Sequence, residues 1–109
     1  TAHALHREYR VLQCLQRHNS ESKDDRKIIP VPTVFAYCKD RLVIGAEFYV
    51  MEYVKGRVFV DPSLPGMSKK ERELAYQDAV QILANIRSLD YVSVGLGDYG
   101  RRGGYVSRQ

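Results

Sequence analysis

The chain has 109 residues, long enough for one domain of ordinary size. Its 17 basic and 13 acidic residues give a net charge of +4, and the two signs are interspersed, which argues for solvated surface rather than a nucleic-acid-binding patch. It contains neither the ~18 apolar residues of a membrane span nor the basic-then-apolar start of a signal peptide. Cys14 and Cys38 lack the spacing of a zinc site or redox pair, so we expect two buried free thiols in a reducing, intracellular compartment.

The first part of the chain predicts a helix over residues 2–17, because apolar residues recur there every three or four positions without proline or glycine. We expect this helix to fade at His18-Asn19-Ser20 and to give way to a polar surface loop over 19–29. Pro30-Val31-Pro32 then requires extended backbone. Since the chain starts directly in a helical pattern and without a methionine, we expect it to be a segment of a longer protein.

The middle of the chain predicts an antiparallel β-hairpin. Residues 33–38 and 47–54 are rich in aromatic and β-branched residues and predict two strands. Between them, residues 39–41 predict a turn and 42–44 a further extended segment that Gly45 ends.

The last part predicts an irregular linker, a second helix and a loop. Two prolines exclude regular structure from residues 56–66. Ser68 and Glu71 predict a capping box, from which the helix runs through Arg87. Beyond Leu89 the chain is rich in glycine and predicts a loop. The expected inner face of the fold comprises Leu5, Tyr9, Leu12, Val34, Phe48, Val50, Ile82, Leu83 and Ile86.

Four local runs carry a further signal. They are Arg7-Glu8-Tyr9-Arg10-Val11-Leu12, Val31-Pro32-Thr33-Val34, Phe48-Tyr49-Val50-Met51-Glu52-Tyr53-Val54-Lys55-Gly56-Arg57, and Leu83-Ala84-Asn85-Ile86-Arg87-Ser88-Leu89-Asp90. In this order they resemble the aminoglycoside phosphotransferase family, although Arg87 stands where that family commonly has histidine. Asp61-Pro62-Ser63-Leu64-Pro65-Gly66 and Val94-Gly95-Leu96-Gly97-Asp98-Tyr99-Gly100 are similar to the branch that is fused, in animals, to an acyl-CoA dehydrogenase. The resemblance covers essentially the whole chain.

The fold that this resemblance implies is α+β, a part of a protein-kinase-like fold. Residues 1–54 would supply the helix and antiparallel hairpin of the small lobe. Residues 55–67 would form the hinge and linker, and residues 68–109 would begin the large lobe with its first helix. Glu52 interrupts the apolar run of the second strand and Gly56 offers a bend, as a hinge requires.

The activity that the resemblance implies is ATP- and Mg²⁺-dependent transfer of phosphate to a hydroxyl group of a small molecule. Glu8 would pair with the strand lysine that holds the α- and β-phosphates. Met51 would lie at the back of the adenine pocket, and Glu52 and Val54 would bond the adenine edge through backbone carbonyl and amide groups. The residue types alone also allow an edge glutamate at position 8 and an ordinary core methionine at position 51.

The residues that perform phosphoryl transfer do not occur in these 109 residues. A glycine-rich loop, a phosphate-binding lysine, a catalytic aspartate with its asparagine and a second metal-binding aspartate are needed. We expect the first two before Thr1 and the others after Gln109, so this segment should have no catalytic or metal-binding residue, no ATP turnover and at most very weak adenosine affinity. Asp98, in a Gly-Asp-Tyr-Gly run, is expected not to bind metal. Glu8, without its lysine, should be exposed or bonded to a substitute cation, and apolar surface should be exposed.

Several alternatives stay open at this point. A pseudokinase or binding module would keep the same fold without catalysis. The arginine–glycine run at 100–105 superficially resembles RNA-binding segments, but a single short match favours no nucleic-acid partner. The dehydrogenase-fused branch implies a hydroxylated acyl-CoA substrate, FAD only if such a dehydrogenase is fused, and a mitochondrial or peroxisomal location. The sequence leaves the oligomeric state open.

Overall fold

The structure is a computed structural model that describes residues 2–104 and 106–109. It contains two long helices and one two-stranded antiparallel sheet, joined by loops with two short 3-10 turns. The elements in chain order are α1 (Ala2–Glu21), a 3-10 turn (Asp25–Lys27), β1 (Val34–Cys38), β2 (Phe48–Met51), α2 (Lys69–Ser88) and a second 3-10 turn (Val106–Arg108). This order confirms the predicted α+β class.

Helix α1 continues to Glu21, so the predicted fading at His18-Asn19-Ser20 is wrong. The side chain of Asn19 accepts a hydrogen bond from the Ile29 amide (2.9 Å) and donates one to the Ile29 carbonyl (2.7 Å). Asparagine and serine are poor helix formers, and such tertiary bonds offset their propensity. The following loop is therefore shorter than predicted and is tied back onto the end of α1.

The hairpin pairs Val34 with Met51 and Cys38 with Phe48, and a register shift between Val34 and Ala36 forms a β-bulge. Both strands are shorter than predicted. Residues 42–44, which we expected to be extended, form a turn instead. The Gly45 amide closes this turn by donating to the Arg41 carbonyl (2.8 Å), and Gly45 has a φ of 92°, a conformation that favours glycine.

Helix α2 begins as predicted. The Ser68 hydroxyl accepts from the Glu71 amide (3.1 Å), and the Glu71 carboxylate accepts from the Ser68 amide (3.2 Å), which confirms the capping box. The helix ends at Ser88, where the backbone of Leu89 becomes extended.

The core is small. Its buried apolar residues in the described part of the chain are Cys14, Ile29, Val34, Leu64 and Val94. Of the predicted inner face, Val34 is buried, while Leu5, Tyr9, Leu12, Phe48 and Ile82 are half-buried. The prediction is wrong for Val50, Leu83 and Ile86, which are 47%, 65% and 48% exposed.

The molecule is also loosely packed. Its radius of gyration is 17.1 Å, against the ~13 Å expected of a compact domain of about 100 residues. Large apolar side chains are accordingly exposed, as expected from the sequence. Both thiols are free, but Cys38 is only half-buried, so the prediction of two buried thiols holds for Cys14 alone. Among the described residues, no helix combines the length and apolar character needed to cross a membrane.

Candidate functional site

Helix α1 is fixed on one side by arginine side chains that bind the loop after α2. Arg7 donates to the Tyr99 carbonyl (2.7 Å), and its guanidinium lies 4.3 Å from the centre of the Tyr99 ring. Arg17 donates to the Val94 carbonyl. Arg7 and Arg17 are ten residues apart, about 2.8 turns, so their side chains lie roughly 80° apart around the helix axis and both reach the loop after α2.

Arg10 lies between them and makes the charged contact of this face. It donates to the Gly95 carbonyl (2.8 Å) and forms an ion pair with Asp98. This bond, above other causes, lowers the pKa of Asp98 below its ordinary value and raises that of Arg10. The Asp98 carboxylate is thus bonded to a cation of the chain itself, and its role is to attach the 94–99 loop to α1.

The opposite side of α1 packs on the sheet through a tyrosine cluster formed by Tyr9, Tyr37 and Tyr49. The Tyr9 ring centre lies 5.3 Å from that of Tyr37 and 5.6 Å from that of Tyr49. Each strand tyrosine donates its hydroxyl to a carboxylate. Tyr37 bonds Glu47 (3.1 Å), and Tyr49 bonds Oε1 of Glu8 (2.5 Å).

The structure therefore connects Glu8 to β2. Glu8 is exposed, as expected, but its observed partner is the neutral hydroxyl of Tyr49 rather than the substitute cation that was the alternative. This hydrogen bond is the main reason why the pKa of Tyr49 is raised above its ordinary value, and burial adds to it. Glu8 thus lies at the junction of α1 and the second strand.

The chain leaves β2 through Met51 and Glu52. Met51 is 49% exposed, which excludes the interpretation as a core methionine in this structure. The Glu52 amide donates to the Thr33 carbonyl (2.7 Å), and the Glu52 carboxylate accepts from the Thr33 amide (3.1 Å). These two bonds fasten the end of β2 to the segment that precedes β1.

Beyond these bonds, the backbone has a free hydrogen-bonding edge. In the part of the chain that the structure describes, neither the Glu52 carbonyl nor the Val54 amide has a partner, and Val54 is 63% exposed. An acceptor and a donor two residues apart on extended backbone can bind the edge of a planar heterocycle that offers a donor beside an acceptor. A groove of about 520 Å³ between Pro30–Pro32 and Glu52–Lys55 runs along the same segment.

A buried asparagine of α2 binds the segment that precedes β1. Asn85 donates to the carbonyls of Arg26 (2.7 Å) and Ile28 (3.2 Å) and accepts from Gln81 (3.0 Å). The sequence reasoning missed Asn85, and it missed Tyr49 and the arginines of α1 as well. The only sequence signal for Asn85 was a polar residue inside the apolar stripe of α2, next to Ile86.

A helix that carries a glutamate packs on an antiparallel hairpin. The second strand of this hairpin leads through a free backbone edge to a linker and another helix. This is the arrangement of a kinase-like fold. The whole chain, residues 1–109, matches the family described as the phosphotransferase enzyme family, and it belongs to that family. The predicted family resemblance and kinase-like fold are confirmed.

Known proteins similar to the chain agree with this assignment. A crystal structure from Ralstonia eutropha JMP134, provisionally named an aminoglycoside phosphotransferase, matches 96% of this chain with a TM-score of 0.80 and 44% identity. A probable acyl-CoA dehydrogenase, IBR3, of Arabidopsis thaliana is 42% identical over the full chain, and human acyl-CoA dehydrogenase family member 11 is 42% identical over 99% of it. The chain spans only 12% and 13% of the length of these two relatives and 29% of the Ralstonia chain.

Proposed function

We propose that this chain is part of an ATP- and Mg²⁺-dependent phosphotransferase that phosphorylates a hydroxyl group of a small molecule. Its own contribution is the adenine-binding edge and the glutamate that positions the phosphate-binding lysine. The observation that supports this proposal is the free acceptor–donor pair formed by the Glu52 carbonyl and the Val54 amide where the chain leaves β2. Adenine offers an amino donor beside a ring-nitrogen acceptor, so the edge fits it.

Two side chains complete the proposed site. Met51 ends β2 and borders the back of the adenine, where its polarizable thioether suits an aromatic ring. Glu8 on α1 receives the ammonium group of the lysine. ATP and Mg²⁺ supply the transferable phosphate and the charge that stabilises its transfer, and the residues that hold them there belong to parts of the whole protein outside these 109 residues. The division into small lobe (1–54), hinge (55–67) and large lobe (68–109) belongs to the same proposal.

The proposed substrate class is a hydroxylated acyl group carried on coenzyme A. Support comes from the similarity of this chain to proteins named as acyl-CoA dehydrogenases. FAD would serve the dehydrogenase part if the whole protein has one, and the location proposed on the same basis is mitochondrial or peroxisomal.

The adenine edge is tested by removing the amide proton of Val54. In the full-length protein, Val54→Pro should weaken ATP binding about tenfold, the effect of one hydrogen bond of roughly 1.4 kcal/mol. Val54→Ala is the matched control, because it also shortens the side chain but keeps the amide, and its ATP affinity should stay unchanged. Titration calorimetry with ATP and Mg²⁺ measures both. Equal ATP affinity of Val54→Pro and the unsubstituted protein would refute this placement of the adenine.

The reaction is tested with the full-length protein, ATP and paired acyl-CoA acceptors that differ only in a hydroxyl group. Phosphate should be transferred to the hydroxylated acceptor alone. Glu8→Ala should reduce this transfer with little loss of fold. Unchanged turnover of Glu8→Ala at both saturating and sub-saturating ATP would exclude the role of Glu8, and ATP binding without any transfer would identify a pseudokinase.

A further inference from the structure

The exposed glutamate of α1 needs something to hold its side chain in place. Glu8 has three rotatable side-chain bonds and lies on the surface, where such a side chain is free to take several rotamers. Its carboxylate accepts a hydrogen bond from the Tyr49 hydroxyl at Oε1 (2.5 Å). A hydrogen bond to an ionised carboxylate is among the stronger ones that side chains form. Tyr49 therefore selects one orientation of the Glu8 carboxylate.

Tyr49 is itself well fixed. It is half-buried in the middle of β2, lies opposite Tyr37 in the sheet, and packs against the Tyr9 ring with a tilt of 51°. Tyr9 is the residue next to Glu8 on α1. The tyrosine cluster thus sets the position of the helix on the sheet and places the Tyr49 hydroxyl where Glu8 can reach it.

The geometry of this bond leaves the rest of the carboxylate available. In the described part of the chain, Oε2 of Glu8 has no hydrogen-bond partner. A carboxylate has about four lone-pair sites and can accept from a hydroxyl and an ammonium group together. Because a phenol is a neutral donor, it orients the carboxylate and leaves its negative charge in place. An arginine at this position would neutralise that charge. The phenol is protonated at neutral pH with its ordinary pKa of 10.0, and the hydrogen bond to Glu8 raises that pKa further.

We propose that Tyr49 is a positioning residue, which holds the Glu8 carboxylate by Oε1 so that Oε2 is presented to the phosphate-binding lysine. This inference rests on the proposed role of Glu8. The second strand then serves the site twice, because residues two apart on a strand point to the same face. Tyr49 orients Glu8, and Met51 borders the adenine.

The molecule contains a matched control for this proposal. Tyr37 lies opposite Tyr49 in the sheet, packs on the same Tyr9 ring, and also donates its hydroxyl to a carboxylate, that of Glu47. Tyr37→Phe and Tyr49→Phe therefore remove the same chemical group from equivalent positions of one cluster. They differ in that only Tyr49→Phe removes a bond to Glu8.

The experiment compares Tyr49→Phe, Tyr37→Phe, Glu8→Gln and the double variant Tyr49→Phe with Glu8→Gln, all in the full-length protein. The dissociation constant for ATP and Mg²⁺ is measured by calorimetry, kcat/KM for ATP by turnover, and folding by thermal denaturation. Tyr49→Phe should weaken ATP binding and lower kcat/KM about tenfold, as loss of one charge-assisted hydrogen bond predicts. Tyr37→Phe should change neither the dissociation constant nor kcat/KM by more than about twofold. Tyr37→Phe and Tyr49→Phe should nevertheless lower Tm by similar amounts.

The double variant separates positioning from general stability. Once Glu8→Gln has removed the charge that Tyr49 orients, Tyr49→Phe should add no further loss of ATP affinity. Equal ATP affinity in Tyr49→Phe and Tyr37→Phe, with a loss in Glu8→Gln, would overturn the role of Tyr49 and leave that of Glu8 intact. No loss in Glu8→Gln would instead overturn the proposed role of Glu8, and the role of Tyr49 with it.

Discussion

Replacement of Asn85 by leucine should release the connection between α2 and the segment that precedes β1. Leucine has the same branched skeleton as asparagine, with methyl groups in place of the amide oxygen and nitrogen, so the substitution removes the hydrogen bonds without leaving a cavity. The carbonyls of Arg26 and Ile28 would lose the donor that now lies 2.7 Å and 3.2 Å away. An unsatisfied buried group costs about 1–3 kcal/mol. Since both bonds are only partly buried, we take a loss of about 1 kcal/mol for each bond. The free energy of local opening of residues 26–28 should therefore decrease by about 2 kcal/mol.

This magnitude can be measured by hydrogen exchange. A loss of about 2 kcal/mol in local opening free energy corresponds to roughly 30-fold faster amide exchange. Mass spectrometry of the full-length protein should show that increase in peptides that cover residues 25–29. The matched control Gln77→Leu, about two turns earlier on α2 at an exposed position, should change exchange there by less than about threefold. Unaltered exchange of residues 25–29 in Asn85→Leu, with α2 still folded, would show that Asn85 does not hold this segment.

Two further predictions concern the ends of α2 and the loop that follows it. Because Arg10 lowers the pKa of Asp98, the stability that this ion pair gives the 94–99 loop is present above the ordinary carboxyl pKa of 3.8 and is lost as the pH falls through the lower folded value. Hydrogen-exchange protection of this loop should therefore fall on acidification, and Asp98→Asn should abolish that fall; a pH dependence that survives the substitution would contradict the assignment. Ser68→Ala should destabilise the first turn of α2 by about 1 kcal/mol, because the Glu71 amide loses its acceptor. Exchange of that turn should accelerate about fivefold, and Ser88→Ala at the other end of the helix should leave it unchanged.

The elements that the sequence predicted well depend on residues close together in the chain. The capping box joins Ser68 to Glu71, three residues apart, and follows from their types and spacing. The hairpin follows from strand composition on both sides of a turn. The kinase-like family could be identified for a similar reason, because its signals are contiguous runs such as the one from Phe48 to Arg57.

The errors arose where specific hydrogen bonds compete with the propensities of single residues. Poor helix formers predicted that α1 would end near residue 18, but bonds between Asn19 and Ile29 extend it to Glu21. Residues 42–44 have strand-forming side chains, yet they form a turn that Gly45 closes. Propensity is a weak preference, and one or two hydrogen bonds are enough to reverse it.

The sequence by itself therefore determined the order and type of the main elements, the cap of α2 and the family, because each depends on residues that are neighbours along the chain. Only the tertiary structure decided which faces are covered and which side chains meet. Helical periodicity groups Leu83 with Ile86, yet both are exposed while Asn85 is buried. The Tyr49 hydroxyl bonds Glu8 across 41 residues, and Arg7 bonds the Tyr99 carbonyl across 92. Periodicity states which residues share a face, but the path of the whole chain determines what that face contacts.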